Sequence, residues 1–299
     1  MISPPMSSLD ILLSVAWLTF SLNFINLTTT NKIKCSHLIV QLSKHGVGPA
    51  FQFIRSPSVD HTLRLDVLGF LYNMLTEVES SRLVAVKSGS ISVLWGIVKS
   101  QNDEKVLELV GRLVKEICST AEDPDVHKLL MNDHIMRILL KLAKIEVPQL
   151  KLDIACCIYD MTKAESGETL SVLKWDGMDV LFWLTLHDCM NLNNAIKENV
   201  ALALRNMTAT SETGAVSVAS EERVMPVMRA LSKSHSEDVL KHVAGAIFNL
   251  MSVSAAKALL LKQGLIALIF DLAKSGEHSE SYITFALFLF LLISSPSNV

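Results

Sequence analysis

The feature that most constrains this chain is a helical pattern that returns at a nearly constant interval. Aligned on Asn206 in ENVALALRNMTATS, it recurs as KHVAGAIFNLMSVS at Asn249 and as LDVLGFLYNMLTEV at Asn73. Weaker copies place Asn26, Glu116, Asp160 and Leu291 at the same point, with successive separations of 47, 43, 44, 46, 43 and 42 residues. A fixed period of this length is the signature of stacked helical repeats, in which each unit buries its apolar face only against its neighbours. In the Asn206 copy, Val200, Leu202, Ala203, Leu204 and Met207 form too broad an apolar stripe for a helix that stands alone.

The segments before each marked helix repeat as well. SGSISVLWGIVKSQND, DGMDVLFWLTLHD, SEERVMPVMRALSKSHSED and QGLIALIFDLAKSGEHSE each read as a short break, a helix and a polar turn. Gly89, Gly177 and Gly264 fall at matching points, where a left-handed backbone can end a short first helix. Pro148 opens a marked helix, and Asp123 followed by Pro124 reads as a cap and first-turn residue. Gly46, Gly48 and Pro49 read as a turn ahead of a second helix; they lack the lysine and hydroxyl of a phosphate loop.

Together these units resemble the armadillo repeat family, whose repeats have a short first helix, a second helix reading xxLxxLLxS and a long third helix reading AxxALxNLS. The resemblance implies an all-α, right-handed α-α superhelix, an armadillo-type solenoid of about six repeats of ~44 residues plus a partial N-terminal one. It divides a single domain, 1–299, into a flexible start at 1–8, a partial repeat at 9–30, and repeats at 31–76, 77–119, 120–163, 164–210, 211–253 and 254–295. The related two-helix HEAT arrangement shares a similar period.

The resemblance also implies a function, the binding of an extended segment of a partner protein along the third helices. On it, Asn73, Asn206 and Asn249 occupy the family's peptide-holding position, suited to a side chain that both donates and accepts. The alternative for the same asparagines is local bonding between helix ends. Further up the same helices, Asp66, Glu108, Arg112, Asp153, Asn199 and His242 are groove-facing candidates, and their mixed charge favours neither basic nor acidic ligands. Nuclear-import adaptors carry a tryptophan four residues before the asparagine. Here those positions hold Leu22, Gly69, Arg112, Cys156, Leu202 and Gly245, which disfavours import-type recognition. The tryptophans, Trp17, Trp95, Trp175 and Trp183, sit elsewhere, and the last three, in or beside second helices, read as core.

Other classes of function find little support. A net charge of -3 argues against wholesale binding to nucleic acid. No HExxH, phosphate-loop, dinucleotide-loop or GxSxG motif occurs, so an enzyme, a small-molecule substrate and a cofactor are not expected. His187, Asp188 and Cys189 are adjacent on one helix end and do not converge as metal ligands. The five cysteines, Cys35, Cys118, Cys156, Cys157 and Cys189, show no CxxC spacing, which suggests reduced thiols and a cytoplasmic or nuclear location. Residues 9–27 are apolar but lack a preceding positive charge, and read as a first-repeat helix in preference to a signal or membrane anchor. The run ITFALFLFLLI near the C-terminus is too short to span a membrane. Its Phe285, Phe288 and Phe290 suggest an apolar end surface for self-association, a larger assembly or a longer solenoid.

Overall fold

A computed structural model describes residues 46–56, 59–121, 124–130, 133–163, 169–174, 176–186, 193–209 and 211–275. Every regular element among them is a helix. The chain divides into two compact units, 1–120 and 121–299.

In the first unit the described helices are α1 (46–54), α2 (His61–Glu77), α3 (Glu79–Lys87), α4 (Ser90–Ser100) and α5 (Glu104–Cys118). Local chemistry sets their ends. The Asp60 carboxylate accepts from the Leu63 amide at 3.1 Å and Asp103 from the Val106 amide at 3.0 Å, each satisfying a donor that has no partner inside the helix. Gly89, at φ 77°, turns the chain sharply from α3 into α4. The long helices α2 and α5 then pack side by side. On α5, Val106, Leu107, Val110, Leu113, Val114 and Ile117 are buried, while Glu104 and Lys105 face water. Burying each large aliphatic side chain contributes about 1.5–3 kcal/mol, so this stripe fixes which side of α5 meets α2.

One expectation is corrected in this unit. Residues 46–54, including Gly46, Gly48 and Pro49, are helical and do not form a turn. Val47, Ala50, Phe51 and Ile54 are buried at no more than 1% exposure, which pulls the segment into a helix despite its glycines and proline.

The second unit repeats a three-helix motif. Its helices are α6 (Pro124–Leu130), α7 (Asp133–Ala143), α8 (Pro148–Thr162), α9 (Thr169–Lys174), α10 (Gly177–Leu186), α11 (Asn194–Thr208), α12 (Glu212–Ser220), α13 (Val224–Ser232), α14 (Glu237–Met251), α15 (Ser254–Lys262) and α16 (Leu265–Ser275). Like packs on like. The third helices run α8 on α11 on α14, the second helices α7 on α10 on α13 on α16, and α12 meets α15. Val200, Ala203, Leu204 and Met207 of α11, fully buried, have a third helix on either side, as the breadth of the apolar stripe requires.

The glycine punctuation holds at two of three points. Gly264 has φ 93°, like Gly89, but the left-handed residue before α10 is Asp176, at φ 67°. Gly177 is needed for another reason: a Cβ there would lie 2.4 Å from Val172 Cγ1 and 2.5 Å from the Val172 carbonyl oxygen. Cys118 and Cys157 are buried and Cys156 half-buried, all as thiols. Trp95 and Trp183 are half-buried instead of fully enclosed, and the Lys144 ammonium sits 5.1 Å from the Trp183 ring centroid. Trp17, Trp175, Cys35, Cys189, Asp123, residues 9–27 and the His187–Cys189 run lie outside the described residues. No single described helix is long and apolar enough to cross a membrane.

Candidate functional site

The stacked third helices of the second unit bring the repeat markers into a row. Asn206 is half-buried on α11, and its amide nitrogen donates to Thr162 Oγ1 at the end of α8, at 3.5 Å. Asn249 on α14 does the same one repeat on, donating to the Arg205 carbonyl at 3.4 Å and to Thr208 Oγ1 at 3.3 Å. The threonines are prepared for this role. Each donates its own proton back into the last turn, Thr162 to the Tyr159 carbonyl at 2.9 Å and Thr208 to the Arg205 carbonyl at 2.8 Å, and so presents a lone pair to the next helix. Since the amide nitrogens face acceptors, the hydrogen-bond network also sets which way the amides point. Their oxygens then make no hydrogen bond among the described residues.

Local bonding and ligand holding are therefore compatible at these positions. The Nδ2 group ties each third helix to the C-terminal end of the one before it, where carbonyls lack intrahelical partners. The Oδ1 atom remains an acceptor that could take an N–H from an extended chain.

In the first unit a different pair does the tying. Glu116 occupies the marker position on α5, and Arg82 of α3 bridges it at 2.9 Å. The same guanidinium donates from Nε to the Leu75 carbonyl at 2.7 Å, from Nη2 to the Thr76 carbonyl at 3.5 Å and from Nη1 to Ser119 Oγ at 3.0 Å. It thus serves the C-terminal end of α2, as the asparagine amides serve α8 and α11. Asn73 and Asp66 are exposed on α2.

The remaining candidates separate by burial. Arg112 is half-buried, 3.8 Å from Glu108 one turn away. Asn199 is half-buried and donates to the Ala195 carbonyl at 3.0 Å and to Cys156 Sγ at 3.5 Å. Asp153, by contrast, is only 2% exposed and accepts from Gln149 Nε2 at 3.1 Å. It braces α8 and does not face a ligand. A carboxylate one helical position inside the polar edge is drawn under by packing, which its spacing in the sequence did not reveal.

His242 is half-buried on α14 and accepts at Nδ1 from Arg205 Nη1 at 3.3 Å. Burial lowers its pKa below the ordinary value, and the Arg205 charge lowers it further. Neutral imidazole is the form that can accept from a guanidinium. The exposed Arg205 side chain reaches across Gly245, whose hypothetical Cβ would lie 3.0 Å from Arg205 Nε. Gly245 stands where import adaptors carry tryptophan, and here the position is left small and an arginine lies over it.

Sequence reasoning missed Arg82, Arg205, Thr162 and Thr208. The threonines left a trace, since Thr28, Thr162 and Thr208 all follow the marker by the same interval. The Asn-x-Thr sequence at Asn206 is explained by this pairing of marker and helix end. No group of three His, Cys, Asp or Glu side chains among the described residues could hold a metal. Phe285, Phe288 and Phe290 lie outside the described residues.

Comparison with known proteins agrees with this geometry. No family model matches the sequence, and no curated protein does. Among solved structures, a designed armadillo repeat protein in complex with the peptide (KR)4 is similar over 83% of this chain and 99% of its own, with a TM-score of 0.60 and 15% identity. Computationally designed armadillo repeat proteins for modular peptide recognition match over 82% of this chain and 99% of theirs, with a TM-score of 0.62 and 15% identity. An engineered protein matches over 83% and 96%, with a TM-score of 0.59 and 17% identity. The fold is that of an all-α armadillo-type solenoid.

Proposed function

We propose that this chain is a non-enzymatic scaffold that holds an extended segment of a partner protein along the face formed by α8, α11 and α14. The observation that carries the reading is the row of unused acceptors at Asn206 and Asn249 Oδ1, on helices already locked in register by the other half of the same amides. An extended chain has N–H groups to offer at regular intervals, and a row spaced by packed helices meets them without paying to order itself. Two designed neighbours of the same fold are described as peptide-bound or as made for peptide recognition, which supports the same use here. Asn199 and His242 line the same helices, and Arg205 supplies an exposed cation beside them. The buried, unpaired-by-disulfide thiols favour a reducing compartment, the cytoplasm or nucleus.

The test separates holding from tying. Partner capture from cell extract, mapped by crosslinking, is compared for N206A/N249A and for T162V/T208V. The first pair removes the free acceptors and the ties; the second weakens the ties alone. Loss of capture confined to the asparagine variant supports the reading, and equal capture by all three proteins refutes it.

A second reading is association through an exposed apolar pair on α16. It is favoured by Ile266 and Phe270, 45% and 58% exposed and one turn apart on α16. Sedimentation of the I266E/F270E variant tests it: an unmodified chain that self-associates and a variant that does not would support this surface, and a monomer in both cases would remove it.

A further inference from the structure

The first unit contains a cavity of about 520 Å³ between α1 and α4, on helices that take no part in the asparagine row. Its size falls in the range of about 300–1,000 Å³ typical of small-molecule sites. Gln52, Arg55, Arg64, Ser88, Ser92 and Ser100 contribute its polar lining, and no acidic side chain among the described residues lines it.

Arg64 is the unusual member. It is nine-tenths buried, and its Nη2 is held by the Ser56 carbonyl at 3.4 Å and the Val59 carbonyl at 3.3 Å, yet its Nε has no hydrogen-bond partner among the described residues. A buried charge with an unmet donor is costly unless something supplies an acceptor. Arg55, exposed at the rim, makes no ion pair among the described residues. The start of α4 adds to the same wall. Its N-cap is Gly89, which offers no side chain; Gly89 and Ser92 line the cavity, and behind them the Ser90 and Ile91 amides have no backbone acceptor among the described residues. The exposed Ser92 hydroxyl is also unbonded among the described residues. An uncapped helix start is positive, and two guanidinium groups match the oxygens of a tetrahedral anion.

We propose that this cavity binds a phosphate group carried by a small organic molecule. Arg64 is the buried cation, Arg55 the exposed one at the rim, and the positive start of α4 and the Ser92 hydroxyl complete the donor set. The volume beyond the phosphate takes the organic part against Ile54, Val93 and Ile97. This site is independent of the groove reading and survives its failure.

The experiment is calorimetric titration of the full chain at low ionic strength with glucose 6-phosphate and with inorganic phosphate, using glucose and sodium chloride as references. Saturable binding of both phosphates, tighter for the sugar phosphate, and none of glucose is the expected result. Arg55→Gln should weaken binding by about tenfold, and Ser92→Glu, which places a carboxylate in the cavity, should abolish it. Arg55 is exposed, so the ligand-free melting curve of Arg55→Gln should match that of the unmodified chain, whereas the Ser92→Glu carboxylate, an acceptor beside Arg64, should raise the melting temperature. Absence of saturable phosphate binding, or unchanged binding in both variants, overturns the assignment.

Discussion

Replacing Arg82 by alanine probes the claim that the marker position exists to tie each third helix to the end of the one before it. The loss has two parts. Four hydrogen bonds go, those to the Leu75 and Thr76 carbonyls, to Ser119 Oγ and to Glu116. Glu116 is also left unpaired with its side chain only 14% exposed. Removing one partner of a fully buried pair costs about 3–5 kcal/mol. Partial exposure lets water reach both groups here, which brings the expected cost of R82A to about 2–3 kcal/mol. Hydrogen exchange of the α5 amides reads this locally, which matters because repeat arrays need not unfold in one step. The double variant R82A/E116N should recover about 1–2 kcal/mol, since it removes the stranded carboxylate and installs the amide that works at Asn206 and Asn249. Recovery should be incomplete, because Leu75 stands where Thr208 supplies an acceptor to Asn249. An R82A protein with unaltered exchange in α5, or a double variant no better than R82A alone, would refute the reasoning.

Further outcomes follow from the turns and the histidine. Gly177→Ala should cost about 2–4 kcal/mol, because a new methyl group meets the Val172 backbone, which cannot swing away; Gly89→Ala, in open space but at φ 77°, should cost only about 1 kcal/mol by urea denaturation. Equal effects would contradict the assignment of steric need to one glycine and backbone need to the other. Acidification should weaken α14. The His242 pKa is lowered on folding, so below the ordinary value of 6.5 the unfolded chain binds the extra proton first, and stability falls as pH drops from there through the depressed folded value. His242→Gln should flatten that decline, and a pH profile identical to the unmodified chain would remove the role given to Arg205 and burial.

The repeat period, the helical class and the positions of the third helices were legible in the sequence because apolar spacing and caps are local properties. Pro148 marks a helix start wherever the rest of the chain lies. The row of asparagines was visible for the same reason, as was the scarcity of catalytic motifs. Tertiary packing decided the rest. It turned Gly46, Gly48 and Pro49 into helix by burying their neighbours, moved the left-handed turn from Gly177 to Asp176, and drew Asp153 beneath the surface. It also gave one task to two chemistries, an asparagine amide on α11 and α14 and an Arg82–Glu116 pair on α5. Two side chains on different helices register in a sequence only as separate letters; the distance between them comes into being when the helices stack.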